Sequence, residues 1–377
     1  MRLLVLYQAR DAAKDHPGYF AGFERLVAEG VLSSHTAIPY YGVAEARGWD
    51  ALWSEAYQAA RQIEADAIFL QFFHGPIPDP AEGIQRLQRL PGKPLVFTSL
   101  GDPFGRWTKR VGPCFEAASS LAAVTFLTGM GYLARQLERR GSKNLVLMPH
   151  GCCQVRFGAQ TEPVASHPDF DAVFVGSRLR SRNPSSHFFW VARHRAEFVA
   201  AFTKRYGRRF GLFGNGWSGN ASWQGPVPFL EQEATYRRSA VVLGGMPNAT
   251  HDYYLSDRPF IAAASGVPLV DRWVRGVDRI LTHERDWWLA PDIDGMIRCC
   301  DRLLEMPQSD RLAVAAQTRE RILASHTQYH RCREMVEIVS NLRQKRQRGE
   351  RAQAPALSFL SPGPAFAVPP AIVNWQG

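Results

Sequence analysis

The stretch from Val241 to Asp271, VVLGGMPNATHDYYLSDRPFIAAASGVPLVD, decides how the rest of the chain is read. Val241 to Leu243 is a short, continuous apolar run, as a strand buried on both faces requires. A polar loop rich in Asn and Tyr follows, then a compact helix from about Asp257 to Ala264, a Gly-Val-Pro turn and a second strand at Pro268 to Val270. That order makes one unit of a parallel α/β sheet, with the loop and helix start at the carboxyl end of a strand, where open α/β sheets bind ligands. Arg258 adds a permanent charge and a planar donor fork to the free N–H groups of the first helical turn, which suits a diphosphate. The alternative is that Arg258 pairs with a nearby carboxylate and the turn is only a turn.

Upstream of this unit the same rhythm recurs. Residues 2 to 7 (RLLVLY) read as a buried first strand, a helix is expected around Phe20 to Ala28, and HTAIPYY near 35 to 41 reads as a second strand. Asp50 is a candidate N-cap for a helix carrying Leu52, Ala56, Ala59, Ala60 and Ile63. Strands follow at Ala67 to Phe73, Pro94 to Ser99, Ala123 to Leu127 and Leu145 to Met148. Three strand ends carry a His or Asp beside a Gly/Pro turn: His74, Asp102 and His150. A second series runs through strands at Asp171 to Val175 and Arg209 to Phe213, with helices over Ala192 to Tyr206 and Leu230 to Ser239. Beyond the Val241 unit, helices are expected over Ile293 to Leu304, Arg311 to Ser325 and His330 to Gln344. The expected organisation is therefore a Rossmann-like domain over 1–155, a linker over 156–169, and a second Rossmann-like domain over 170–342. Residues 343–377 form a basic, then Pro/Ala-rich tail expected to be weakly structured or draped over the surface.

Composition narrows the class. A chain of 377 residues with 45% hydrophobic content can bury a large core. The apolar run after Met1 is too short for a signal peptide or a membrane span, so cytoplasmic residence is the expectation. Six cysteines show no CxxC or Cys/His ligand spacing, which indicates neither zinc nor a disulfide framework. The net charge of +10 concentrates in Arg178 to Arg209, where nine Lys/Arg face Glu197 alone. That segment, with Phe188, Phe189 and Trp190, reads either as a solvated face or as a polyanion surface. A Walker A sequence, a GxGxxG fingerprint and a GxSxG elbow are all missing.

The second half carries an ordered set of motifs: DAVFVGS, RFGLFGNGW, Gly225 to Val227, EATYRRSAVVLGGMPN, DRPFIAAASGVPLVD and SHTQYHRCREMVEIV. In that order they resemble the CgeB-like (spore-maturation type) glycosyltransferases of the wider GT-B class. The resemblance covers roughly residues 170 to 340. It implies an α/β GT-B fold of two Rossmann-like domains across a cleft, the C-terminal one holding a nucleotide-diphosphate sugar and the N-terminal one meeting the acceptor. It implies donor contacts from Gly176, Ser177 and Arg178, from Gly214, Asn215 and Gly216, and from Arg258 and Phe260, with Gly266 and Pro268 in the turn behind. His326, Thr327 and Arg331 match a His-Thr signature expected to be structural. The family commonly has Glu where this chain has Ile261, and Tyr253 replaces the second acid of a spaced Glu pair. Asp257 could substitute, and Tyr253 and Tyr254 are candidates to stack a base or sugar.

Transfer from such a donor needs charge stabilisation on the leaving diphosphate, which Arg258, Arg178 and helix-end amides can supply without a metal. No cofactor beyond the donor is expected. A general base for an inverting reaction would come from Asp102, His74 or His150, in that order of preference. The competing reading is a catalytically lapsed GT-B scaffold that binds nucleotide or polyanion. The acceptor is undetermined from sequence, with modified DNA one alternative. Asp102→Asn is expected to leave donor affinity unchanged and suppress transfer; full turnover in that variant rules Asp102 out as the base.

Overall fold

The computed structural model describes residues 1–73, 75, 77–101, 111–159, 164–185, 187–245, 251–361 and 370–377. Its N-terminal half runs β1 (Arg2–Tyr7), α1 (Ala12–Asp15), α2 (Pro17–Ala28), β2 (Ser34–Pro39), α3 (Tyr40–Arg47), α4 (Trp49–Gln62) and β3 (Ala67–Leu70). It continues with α5 (Ala81–Gln88), β4 (Leu95–Leu100), α6 (Pro113–Leu121), β5 (Val124–Leu127), α7 (Tyr132–Glu138) and β6 (Leu145–Leu147). These six strands are parallel, in the order β6-β5-β4-β3-β1-β2. Along β1 alternation sorts the side chains: Leu3, Val5 and Tyr7 join Phe23 and Leu26 of α2, while Leu4 and Leu6 join Leu52, Ala56 and Ala60 of α4. A strand covered by helices on both faces must be apolar throughout, which is why RLLVLY is so easily read.

The second half runs β7 (Phe170–Val175), α8 (His187–Tyr206), β8 (Phe210–Phe213), β9 (Trp223–Gly225), α9 (Gln232–Arg237), β10 (Ser239–Leu243), α10 (Arg258–Ala264) and β11 (Leu269–Arg272). It closes with β12 (Trp288–Ala290), α11 (Ile293–Glu305), α12 (Gln308–Ser325), α13 (Gln328–Gln347) and β13 (Ile372–Val373). Its six-stranded sheet, β12-β11-β10-β7-β8-β9, is parallel throughout. That order reverses between β7 and β10, and the first sheet's order reverses between β1 and β3. Each reversal leaves a crevice outside the carboxyl ends of two strands.

Several expectations change in detail. Asp50 is not the N-cap of α4: Gly48 takes that place, and Asp50 lies in the first turn, where its charge still complements the helix dipole. The helix expected over 230–239 ends at Arg237, because Ser239 already belongs to β10. The tail does not merely drape. Ile372–Val373 pairs antiparallel with β6, and Asn144 N–H donates to Asn374 O at 2.9 Å. Without that strand, β6 would present an unpaired edge.

The two halves are bound together by α13, which leaves the second sheet and lies along α2 of the first domain. The close approach needs Gly22, since a Cβ there would sit 3.1 Å from the Tyr329 Cα. Tyr329 Oη donates to both Glu29 oxygens, at 2.9 and 2.7 Å, and Arg333 donates to the same carboxylate at 2.7 Å. Those bonds, from Tyr329 first and the arginines next, hold the Glu29 carboxyl down at about 2. At the joint itself Arg331, 1% exposed, donates to Pro149 O at 3.0 Å, to His150 O at 3.4 Å and to His326 Nδ1 at 2.8 Å. Burial lowers Arg331 to about 10, and burial together with that guanidinium drives His326 down to about 2, so the imidazole stays neutral. Thr327 caps α13 with a reciprocal bond to His330. The His-Thr signature thus acts structurally. Arg331→Met, which strips a charged donor from buried acceptors, is expected to cost about 3 kcal/mol of unfolding free energy; an unshifted urea midpoint would refute that role.

Candidate functional site

The crevice between β7 and β10 gathers most of the residues that the sequence singles out. Gly176 follows β7 and its N–H donates to Phe213 O at 2.9 Å, tying the first loop to the end of β8. Arg178 N–H donates to Asn215 O at 2.8 Å, and Asn215 N–H reaches Ser177 Oγ at 3.4 Å. Gly214 must be glycine twice over: its φ is +127°, and a Cβ would sit 2.6 Å from the Gly176 backbone. Gly216 lets the Arg178 side chain pass, with the guanidinium 5.7 Å from the Trp217 ring centroid. Trp217 Nε1 donates to Gly176 O at 2.7 Å. Gly176, Ser177, Arg178, Gly214, Asn215 and Gly216 therefore form one cross-braced pair of loops.

Phe174, fully buried on β7, links that pair to Arg258. A Cβ on Gly176 or on Gly245 would sit 2.6 Å from its ring. The Arg258 guanidinium lies 5.5 Å and that of Arg195, from α8, 5.8 Å from the ring centroid. Arg258 Nη1 donates to Gly244 O at 3.2 Å, and among the described residues no carboxylate forms an ion pair with it. An acid within electrostatic reach of Arg258 is Asp271, at the end of β11 and 1% exposed; a Cβ on Gly244 would sit 2.1 Å from its Oδ2. Burial pushes the Asp271 carboxyl up to about 8, against the opposing pull of the Arg272 N–H and of Arg258. At neutral pH Asp271 is protonated and leaves the Arg258 charge uncompensated. The helix contributes less. α10 has only seven residues, and Asp257 at its start makes no side-chain cap bond.

Other expected donor residues are placed differently. Phe260 is buried and stacks on His326 at 6.0 Å, packing the joint instead of lining the crevice. Tyr253 is fully buried in a left-handed conformation (φ +63°); its ring covers Gly276 and its hydroxyl accepts from Arg279 at 3.3 Å. Tyr254 is buried against Gly129 of the first domain. Ile261 is 2% exposed, so the position where the resembled family commonly carries Glu belongs to the core here.

The crevice of the first domain, between β1 and β3, faces the joint. His74 and Asp102 lie outside the described residues. His150 follows β6, its ring 6.2 Å from that of Phe72, and Phe72 lies 5.9 Å from His16. His16 Nε2 donates to Gln8 O at 2.9 Å, which fixes the tautomer and leaves Nδ1 as an acceptor; burial lowers its pKa. Gln71, at the end of β3, is fully buried, and neither end of its amide finds a hydrogen-bond partner among the described residues. His16, Gln71, Asp271, Phe174 and Arg195 escape the sequence reading. For His16 one signal existed: it sits nine residues after β1, before the Pro-Gly that opens α2.

Comparison with known proteins agrees with this geometry. Residues 193–337 match the Glycosyl transferase-like family model. Sucrose-phosphate synthase from Thermosynechococcus elongatus superposes with a TM-score of 0.56 at 12% identity, over 91% of this chain and 99% of that one. The E. coli trehalose-6-phosphate structure bound with UDP-2-fluoro glucose gives 0.56 at 11%, over 90% and 99%. Anabaena HepE in complex with UDP and glucose gives 0.54 at 11%, over 91% and 100%. No curated protein matches the chain. The two parallel-sheet domains give the chain a GT-B fold, and most of its second domain matches the glycosyl transferase-like family. Among the described residues no helix is long and apolar enough to cross a membrane.

Proposed function

We propose that this protein transfers a sugar from a nucleoside-diphosphate donor bound at the β7/β10 crevice. The observation that carries the reading is the Arg258 charge, which no carboxylate of the described residues pairs with, beside an Asp271 that burial pushes toward its protonated form at the sheet's reversal point. As the bond between the sugar and the diphosphate oxygen breaks, charge grows on the leaving group, where Arg258, Arg178 and the N–H groups of the Gly176 and Gly214 loops stabilise it. The acceptor oxygen forms the new bond and its proton passes to a base on the first domain. His16, neutral with Nδ1 free to accept, joins His150, His74 and Asp102 as candidates. Asp257 takes the donor ribose in place of the acid missing at Ile261, and no resident cofactor or metal is invoked. UDP-glucose is the first donor to test, because HepE and the E. coli structure were obtained with UDP compounds.

Within the class, the motif order favours the CgeB-like branch. The six free cysteines suit a reducing compartment, the cytoplasm. The non-acidic residues at 253 and 261 favour a second reading, a scaffold that binds nucleotide without turnover. Release of nucleoside diphosphate across a donor panel supports the transferase, and tight binding without release supports the scaffold.

Arg258→Ala is expected to weaken UDP binding by roughly ten- to a hundredfold, the worth of one charged hydrogen bond, with the fold intact. Equal affinity in a calorimetric titration removes the main support for the site. Raising the pH through about 8 ionises Asp271 and gives Arg258 a counter-charge, so UDP affinity is expected to fall there. Asp271→Asn is expected to flatten that alkaline limb; a limb that persists in the variant assigns it to another group.

A further inference from the structure

Beside the donor crevice lies an open groove of ≈ 700 Å³, lined by Arg178, Arg180, Arg182 and Arg193 with Phe189 and two alanines of α8. Three of its five consecutive loop residues from 178 to 182 are arginine, and all five face it. The basic segment divides here. Arg205 and Arg209 pair with Asp301 and Asp171, at 3.0 and 2.6 Å, and behave as a solvated face. Among the described residues no carboxylate pairs with Arg178, Arg180 or Arg182, while Arg193 donates to Glu197 at 2.9 Å. Like charges crowded into a concave surface without counter-ions repel one another, and a polyanion relieves that repulsion.

The groove also has a flat apolar rim. Trp190 is 46% exposed, its ring 5.4 Å from Phe189, and its Nε1 donates to Pro184 O at 3.1 Å, which fixes the indole. The Arg193 guanidinium lies 5.8 Å from its ring centroid. Five residues span at most about 14 Å even fully extended, the reach of two or three nucleotides. A track of arginines flanked by a fixed, exposed aromatic is the combination that binds a sugar-phosphate backbone and stacks its bases; a base-paired duplex keeps its bases out of reach.

We infer that this groove binds single-stranded nucleic acid. The inference goes beyond sugar transfer; Arg178 is shared with the proposed donor site, and the residues that test the groove, Arg180, Arg182 and Trp190, have no part in that site.

The test is fluorescence anisotropy with a labelled twelve-nucleotide single strand and the full chain, titrated across salt concentration without donor. Three neutralised phosphates, one for each unpaired loop arginine, predict a slope of log K against log salt of about −2. Arg180→Ala/Arg182→Ala is expected to reduce that slope by about 1.4. Trp190→Ala is expected to weaken binding about tenfold, the size of one stacked base, with the slope unchanged. UDP affinity measured on the same variants reports an intact donor site, so failure here and failure of the transferase reading are told apart. No binding at low salt, or binding unchanged in both variants, overturns the inference. Equal affinity for a duplex or a sulfated glycan, insensitive to Trp190→Ala, overturns it in favour of a generic anion surface.

Discussion

A guanidinium that pairs with no carboxylate of the described residues, buried where two domains meet, constrains the rest of this molecule. Arg331 reaches back from α13 to the carbonyls that end β6, accepts the neutral His326 as a partner, and lies 5.9 and 4.7 Å from the rings of Phe260 and Phe359. One side chain thereby joins the end of the first sheet, the helix beside the β7/β10 crevice and the chain beyond α13. Burying such a charge is costly unless every donor finds an acceptor, so its surroundings can accept little variation. His326 has to remain neutral beside it, which explains why the His-Thr signature serves the joint and not the chemistry.

That joint holds two sheets built on one rule. Each reverses its strand order once, and each reversal opens a crevice with a different character. On the second domain the crevice is tight and cationic: glycines at the strand ends leave backbone against backbone, Phe174 fills the floor, and Arg258 and Arg195 flank it. Asp271 would cancel part of that charge if it were ionised. Burial keeps it protonated, so a carboxyl group lies close to an arginine without neutralising it. On the first domain the crevice carries polar groups, His16, His150 and Gln71, beside Phe72. A cationic pocket on one domain and polar groups on the other suit the proposed transfer from an anionic donor to a hydroxyl acceptor.

The basic segment shows how a single compositional feature can separate into two physical roles. Nine Lys/Arg within Arg178 to Arg209 look uniform in the sequence. In three dimensions Arg205 and Arg209, on the far end of α8 and beyond it, find carboxylates on neighbouring elements. The loop arginines face an open groove instead. The difference arises from which side of the sheet each residue meets, and that follows from where β7 ends.

By itself the sequence determined the parallel α/β architecture, because strands covered on both faces must be continuously apolar: RLLVLY, AIFLQFF and the run Val241 to Leu243 announce themselves for that reason. It also marked Gly176, Gly214 and Arg258, whose residue types are forced by close backbone approach or by charge. Tertiary structure alone decided the rest. Tyr253, Tyr254 and Phe260 carry rings that suit a ligand or a core equally well, and only packing against Gly276, Gly129 and His326 assigned them to the core. Asp271 is an unremarkable strand-end acid until burial raises its pKa, and His16 and Gln71 gain their setting from a neighbouring strand about sixty residues away. Local sequence records periodicity and backbone demand; it does not record which distant surface a side chain meets, and burial, pairing and pKa all depend on that meeting.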